Sequence, residues 1–335
     1  MRIIFFGTPN FAIPALQKLK EADFEIVGVF TEPSRPVGRH QEITPSPVKL
    51  FAEKSNLAVF EPESLKTSPF SKGGEGDFWA KQIKSLAPDI AVVAAYGQII
   101  PQAIIDIPKY GFINIHPSLL PKYRGASPVQ FAILNGERET GVTIMLMDEK
   151  MDHGPILAQE KIAIGDDEDT PSLLTRAAEL GAKMLSPTIE GYLNKTIVPQ
   201  EQNHEAATFS KILKKADGQI DWQKSALEIY NQIRAFRPWP GTWNEFKIKN
   251  SKLKIKILDA SPSNESTPEK INIGNFFVSP PLDLQSDPPI WREDARARGG
   301  QLAVKCSSGS LIVDRLIPEG KKEMSGAEFV RGYLK

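Results

Sequence analysis

Residues 89–95, DIAVVAA, form an apolar run without alternation, and the fold is read outward from it. A strand apolar at every position is covered on both faces, as a central strand is in a sheet with helices on each side. On the N-terminal side three more runs share this character: residues 2–6 (RIIFF), which end at Gly7, residues 25–31 (EIVGVFT) and the short 58–60 (AVF). Between the first two, residues 11–22 carry apolar side chains at helical spacing, with Pro14 tolerable only in the first turn. On the C-terminal side, residues 111–115 (GFINI) follow after a short connection. Strands alternating with helices predict an α/β fold with an open, doubly wound, mostly parallel sheet. Ligands of such sheets bind beyond the carboxyl ends of the strands, and Asn114 and His116 fall at one such end.

Further along, Val142, Ile144 and Leu146 alternate as a strand does, and Asp152 stands in a tight turn ahead of Gly154. The acidic run 166–169 precedes Thr170-Pro171, an N-cap residue and a proline suited to the first helical position. A helix is predicted from there through Leu173, Leu174, Leu180 and Leu185. Carboxylates at the positive end of a helix account for the acidic run without a metal. From about residue 194 to 210 periodicity is lost, as in a linker. Beyond it, residues 253–258 (LKIKIL), 301–306 (QLAVKC) and 311–316 (LIVDRL) alternate between turn residues, which predicts a smaller β-barrel. The expected organisation is a Rossmann-like domain over 1–193, a linker over 194–210 and an OB-like barrel over 211–335. Residues 68–77 and 261–300, rich in Gly, Pro, Ser and charge, are expected to be surface insertions.

Composition narrows the function classes. With 335 residues, 41% of them hydrophobic, the chain is long enough for two cores. No apolar run approaches the ~20 residues of a membrane span, and the N-terminal strand is too short for a signal peptide. One cysteine, Cys306, rules out an internal disulfide framework and fits a reducing compartment, so a cytoplasmic location is expected. Four scattered histidines (His40, His116, His153, His204) do not suit a structural zinc site, and no metal is expected. The net charge is zero, with 41 basic and 41 acidic residues, but it is unevenly spread. Residues 1–195 carry 20 basic and 24 acidic side chains, whereas 211–256 alone carry 11 basic against 4 acidic. Such a zone is the footprint of a polyanionic partner or simply a solvated basic face, and charge alone does not choose between them.

The glycine turn after the first strand reads Gly7-Thr8-Pro9-Asn10 and lacks G-x-G-x-x-G, which argues against a dinucleotide. There is no P-loop and no G-x-S-x-G elbow. The positive signal is Asn114-Ile115-His116-Pro117-Ser118-Leu119-Leu120-Pro121. Alternation puts Asn114 and His116 on one side of the strand, and two prolines stiffen the turn behind them. An amide donor and an imidazole so placed suit a reaction that builds negative charge on oxygen and moves a proton. Alone, His116 is as readily a satisfied core histidine. Asp152, in Met151-Asp152-His153-Gly154-Pro155-Ile156, is by itself ordinary turn chemistry.

Together the two segments, N-x-H-P-S-L-L-P and D-x-G-P-I, resemble those of the folate-dependent formyltransferases. The resemblance implies formyl transfer to an amine, with 10-formyltetrahydrofolate as co-substrate and Asn114, His116 and Asp152 as the catalytic set. It implies that Ser118, Leu119, Leu120 and Pro121 contact the folate, and that Tyr96 and Gly97, in 96–100 (YGQII), line its pterin pocket. Residues 6–9 (FGTP), 31–39 (TEPSRPVGR), 45–49 (PSPVK), 234–240 (RAFRPWP) and 320–324 (GKKEM) are similar to one branch of that family. Its acceptor is the α-amine of initiator methionyl-tRNA, at the start of protein synthesis. On that reading Arg39 inspects the end of the acceptor stem, although His40-Gln41-Glu42 follows where the family often carries more lysine. Lys211, Lys214, Lys215, Arg234 and Arg237 would neutralise tRNA phosphates. Trp239 and Trp243 are expected in packing rather than base stacking, and a monomer is expected. A sugar-nucleotide N-formyltransferase, a formyl-folate hydrolase and a catalytically dead nucleic-acid-binding module are the competing readings.

Overall fold

The apolar runs become the strands of a seven-stranded sheet in a computed structural model, which describes residues 1–37, 41–66, 74–248, 251–263, 271–279 and 301–334. Arg39 and His40 lie outside the described residues. In chain order the first strands are β1 (Arg2–Gly7) and β2 (Glu25–Phe30), a short ribbon of β3 (Arg35–Val37) with β4 (Glu42–Thr44), and β5 (Val59–Phe60). They continue with β6 (Ile90–Ala94), β7 (Phe112–His116), β8 (Arg124–Gly125), β9 (Glu139–Leu146), β10 (Ile156–Ala163) and β11 (Phe209–Ser210). The main sheet runs β10-β9-β7-β6-β1-β2-β5. β5, β2, β1, β6 and β7 are mutually parallel, and β9 and β10 close one side antiparallel.

Winding reverses between β1 and β6: the chain leaves β1 toward β2 and β5, then returns on the other side. A sheet of this kind opens a crevice at that reversal, beyond the carboxyl ends of the strands. Gly7 ends β1 opposite Ala94, and a Cβ on it would strike Ala12, the Phe5 ring and the Ala94 carbonyl. Only glycine lets the chain turn so close to the neighbouring strand. Below the crevice, Phe6, Phe30 and Phe60 stack across three successive strands, with ring centroids 4.7 and 4.9 Å apart. Phe112, Ile104 and Leu65 complete a core there.

The helices are α1 (Ile13–Glu21), α2 (Pro47–Lys54), α3 (Glu75–Ser85), α4 (Gln102–Ile105), α5 (Pro128–Leu134), α6 (Thr170–Leu193), α7 (Ala226–Ala235) and α8 (Gly326–Phe329). α1 follows one 3-10 turn and keeps Pro14 in its first turn. α6 extends past Pro187, further than the spacing predicts, because Leu185 and Ile189 are buried on either side of it. Tertiary packing there outweighs the lost backbone donor.

The chain divides into two units that do not follow its order: residues 1–129, 138–164 and 172–211, and residues 130–137, 165–171 and 212–335. The stretch 194–211 has little regular structure but packs within the first unit: Gln200 bridges Ile156, and β11 pairs with β8. The second unit holds β12 (Thr242–Ile248), β13 (Ser251–Ser263), β14 (Phe276–Ser279), β15 (Gln301–Lys305), β16 (Ser310–Pro318) and β17 (Met324–Ser325). These form an antiparallel sheet in the order β12-β13-β16-β15-β14, with β17 on β16. It is a curled half-barrel whose end strands, β12 and β14, do not pair among the described residues. Irregularities at Asp259 bend β13, and Ile229 and Ile233 of α7 join Ile255, Ile257 and Leu316 in the core.

Two composition-based expectations need correction. The surface insertion at 68–77 ends earlier, since Glu75, Gly76 and Asp77 open α3 and the Glu75 carboxylate accepts from the backbone of Glu63 and Ser64. The insertion at 261–300 contains β14, whose Phe276 ring stacks on Phe246 at 4.1 Å. A short apolar strand embedded in Pro- and Ser-rich sequence is outvoted by its surroundings in any compositional window.

Cys306 is buried, and burial pushes its thiol up to about 12. A folded thiol that holds its proton longer than an unfolded one favours the fold below the ordinary thiol value of 9.0, and that contribution is lost as pH rises toward 12. Native protein at pH 8 should therefore react with a thiol reagent at least tenfold more slowly than unfolded protein. A native rate equal to the unfolded one would contradict this burial.

Candidate active site

β7 lies between β6 and β9, with Asn114 opposite Val93 and Met145 and His116 opposite Thr143. Alternation sends Ile113 and Ile115 to one buried face and Asn114 and His116 to the other. Asp152 reaches them from the turn between β9 and β10. Its φ of 50° lies in the left-handed region, which Asp tolerates better than most residues, at a cost of about 1 kcal/mol. Gly154 belongs to the same turn because a Cβ there would strike the Leu146 carbonyl.

The Asp152 carboxylate is the meeting point. Asn114 Nδ2 donates to Oδ1 at 3.3 Å, the Gly125 backbone N–H donates to Oδ2 at 2.7 Å, and His116 Nδ1 lies 3.5 Å from Oδ1. On its other side, His116 Nε2 donates to the Tyr123 carbonyl at 3.0 Å. A carbonyl can only accept, so Nε2 carries a proton, while Nδ1 faces the Asp152 carboxylate at the longer distance. With Nε2 committed to backbone, Nδ1 is the nitrogen available to a reacting group. His116 is 4% exposed, which keeps competing water away from the ring.

The loop after β7 is held from the sheet. Thr143 Oγ1 donates to the Ser118 carbonyl at 2.6 Å and accepts from the Leu120 N–H at 3.1 Å. Gln159 Nε2 donates to Thr143 Oγ1 and to the Leu120 carbonyl, at 2.7 and 3.0 Å. Ser118 and Leu120 are buried, Leu119 is half-buried, and Pro121 follows a cis peptide. At the end of β6, Tyr96 packs edge-on against Phe6, and its phenol has no hydrogen-bond partner among the described residues. Burial first, then the Glu32 carboxylate, push that phenol far above the ordinary tyrosine range. A Cβ on Gly97 would meet the same carboxylate, the end of a flexible side chain that can shift to admit it. Among the described residues no group of His, Cys, Asp and Glu is placed to hold a metal ion, and no helix is long and apolar enough to cross a membrane.

The sequence model of the formyl transferases matches residues 1–189, and that of the formyl transferase C-terminal domain matches residues 212–334. The chain belongs to the formyl transferase family. It is 39% identical to the methionyl-tRNA formyltransferase of Geobacter sulfurreducens over 99% of this chain and 94% of that one. In fold it is similar to WlaRD, a sugar 3N-formyl transferase solved in the presence of dTDP and 5-N-formyl-THF. The TM-score is 0.60 at 20% identity, over 96% of this chain and 99% of that one. HypX of Aquifex aeolicus, solved with tetrahydrofolic acid, is similar at a TM-score of 0.61 and 15% identity, and this chain spans 48% of its length.

In this formyl transferase several residues shape the site without any signal in the sequence. Thr143 and Gln159 are polar positions inside strands, visible only as breaks in an apolar pattern. Arg124, 4% exposed, donates from Nε and a terminal nitrogen to Gln202 Oε1 at 3.2 and 2.7 Å. It also contacts His204 Nδ1 at 2.8 Å, and the His204 ring stacks on His153. Gln202 lies in the aperiodic stretch that reads as a linker.

The expected phosphate-binding residues separate into two groups. Lys211, Lys214 and Lys215 are exposed. Arg234 is 6% exposed and donates to the Glu168 carbonyl and to Asn231 Oδ1, each at 2.7 Å. Arg237 bridges Asp169 and Asp259 at 3.2 and 3.1 Å. Both guanidinium groups are engaged within the second unit. Trp239, expected in packing, is 56% exposed, because it sits on a proline-flanked turn. Trp243 lies beneath Lys254 Nζ, 3.5 Å from the ring centroid, and donates Nε1–H to the Lys215 carbonyl.

Thr143→Val keeps the shape of the side chain but removes the hydroxyl that ties Ser118 to Leu120. It should destabilise the first unit by about 1–3 kcal/mol and speed amide exchange at Leu120. Unchanged Leu120 exchange would show that the loop is held by packing alone.

Proposed function

We propose that this chain transfers the formyl group of 10-formyltetrahydrofolate to the α-amine of initiator methionyl-tRNA, in the cytoplasm and as a monomer. The observation that carries the chemistry is the Asp152 carboxylate set against Asn114 and His116 at the carboxyl end of β7. The acceptor rests on the likeness to a methionyl-tRNA formyltransferase along both units. The unmet hydrogen-bonding capacity of Tyr96, beside the crevice at the β1/β6 reversal, fits a polar heterocycle such as a pterin.

The folate co-substrate supplies the formyl carbon, and the protein supplies charge and proton placement. As the neutral amine bonds to that carbon, the carbonyl electron pair moves onto oxygen. Asn114 Nδ2 has a second N–H beyond the one on Asp152, and it donates to that oxygen. His116, as imidazolium, stabilises the same charge through Nδ1–H and passes this proton toward the departing nitrogen. Asp152 holds the imidazolium in place and, through water, receives the proton that the amine loses. Protons therefore balance over one turnover.

For the RNA, Lys211, Lys214 and Lys215 offer exposed charge, and the β12–β13 hairpin adds more. Lys247 and Lys252 stand directly opposite each other there, and Lys256 faces Trp243. Like charges opposite each other destabilise a hairpin in isolation, and a polyanion relieves that repulsion. Arg39 remains the proposed reader of the acceptor-stem end.

Three measurements check this reading. Formylation should be fast with initiator methionyl-tRNA and slow with the elongator; transfer to neither, with sugar amines formylated instead, would reassign the acceptor. Asn114→Ala should lower turnover by ~10²–10³ with tRNA affinity unchanged. Changing Lys211, Lys214 and Lys215 together to alanine should reduce the slope of log affinity against log salt by roughly 2–3, and an unchanged slope would place the phosphates elsewhere.

A further inference from the structure

Gln202 is 5% exposed and uses its whole carboxamide. Its Nε2 donates to two backbone carbonyls of the catalytic turn, Asp152 at 3.0 Å and Gly154 at 2.7 Å. Its Oε1 accepts both contacts from buried Arg124. Two N–H groups and two lone pairs are the full capacity of the group, so its orientation is fully determined. Gly125, the residue after Arg124, supplies the N–H that binds Asp152 Oδ2. The turn is thus gripped through its carbonyls by Gln202 and through its carboxylate by the segment that carries Arg124.

That grip falls where the backbone needs it. A residue other than glycine at a φ of 50° relaxes toward the common backbone regions unless its surroundings hold it. Relaxation at Asp152 would swing the carboxylate off Asn114 and His116. We infer that Gln202 is a positioning residue: its carboxamide, oriented by Arg124, holds the turn at Asp152 and Gly154 so that the carboxylate stays on Asn114 and His116. This rests on the proposed role of Asp152.

Two substitutions separate positioning from folding. Gln202→Ala removes every bond. Gln202→Glu keeps oxygen acceptors for Arg124, now as an ion pair, but cannot donate to the carbonyls of Asp152 and Gly154. Gln202→Glu should therefore melt within a few degrees of wild type while kcat falls ~10- to 10²-fold, KM for folate and tRNA stays within about twofold, and the pH profile of kcat is displaced. Gln202→Ala should lose at least as much turnover. A Gln202→Glu enzyme with kcat within about twofold of wild type overturns the inference, as does a Gln202→Ala loss that only tracks the folded fraction. Asp152→Asn is measured alongside. If it loses turnover while Gln202→Glu does not, the positioning role fails and the reading of the site stands; if Asp152→Asn is fully active, both fail.

Discussion

The Asp152 carboxylate is the contact through which the site is assembled. It joins the strand that carries Asn114 and His116 to the turn between β9 and β10 and to the backbone at Gly125. A carboxylate largely removed from water needs donors, and here an amide, a backbone N–H and an imidazole nitrogen surround it. The same contact offsets the left-handed backbone of Asp152. β9 runs antiparallel to β7, so its following turn leaves beside the start of β7, with Leu146 opposite Ile113, and Asp152 reaches back from that turn to Asn114 and His116.

Around this centre the first unit spends buried polar groups on geometry. Thr143 and Gln159 fix the loop of Ser118 to Pro121 from two neighbouring strands. Arg124, Gln202 and His204 brace the opposite side. Each of these groups costs free energy to bury and is offset by the bonds it makes, so losing one member leaves its partners short of a bond. A formyl transfer, in which charge appears on one oxygen and a proton crosses a few ångströms, benefits from donors that do not have to reorganise.

The second unit follows a different logic. Its half-barrel has an apolar inside built from Ile255, Ile257, Leu316 and Phe329, and an outside where lysines cluster on the β12–β13 hairpin. Two arginines of the basic stretch 211–256 are engaged in internal contacts. Arg234 is held by backbone carbonyls, and Arg237 lies between two aspartates. Net charge along the sequence does not tell an exposed lysine from an arginine that is also engaged in internal pairs.

The strands of the parallel sheet, the face shared by Asn114 and His116 and the position of Asp152 in a turn were legible in the sequence, because they follow from local rules: apolar runs, period-two alternation and turn residues. The two insertions were legible only in part, since composition hid the start of α3 and the whole of β14. What tertiary structure alone decided is which distant groups meet: Asp152 with Asn114 across 38 residues, and Arg124 with Gln202 across 78. No local pattern encodes such meetings. They depend on where the sheet order brings separate segments together, and a glutamine in an aperiodic stretch acquires its place only when the strands on either side of it have already been laid down.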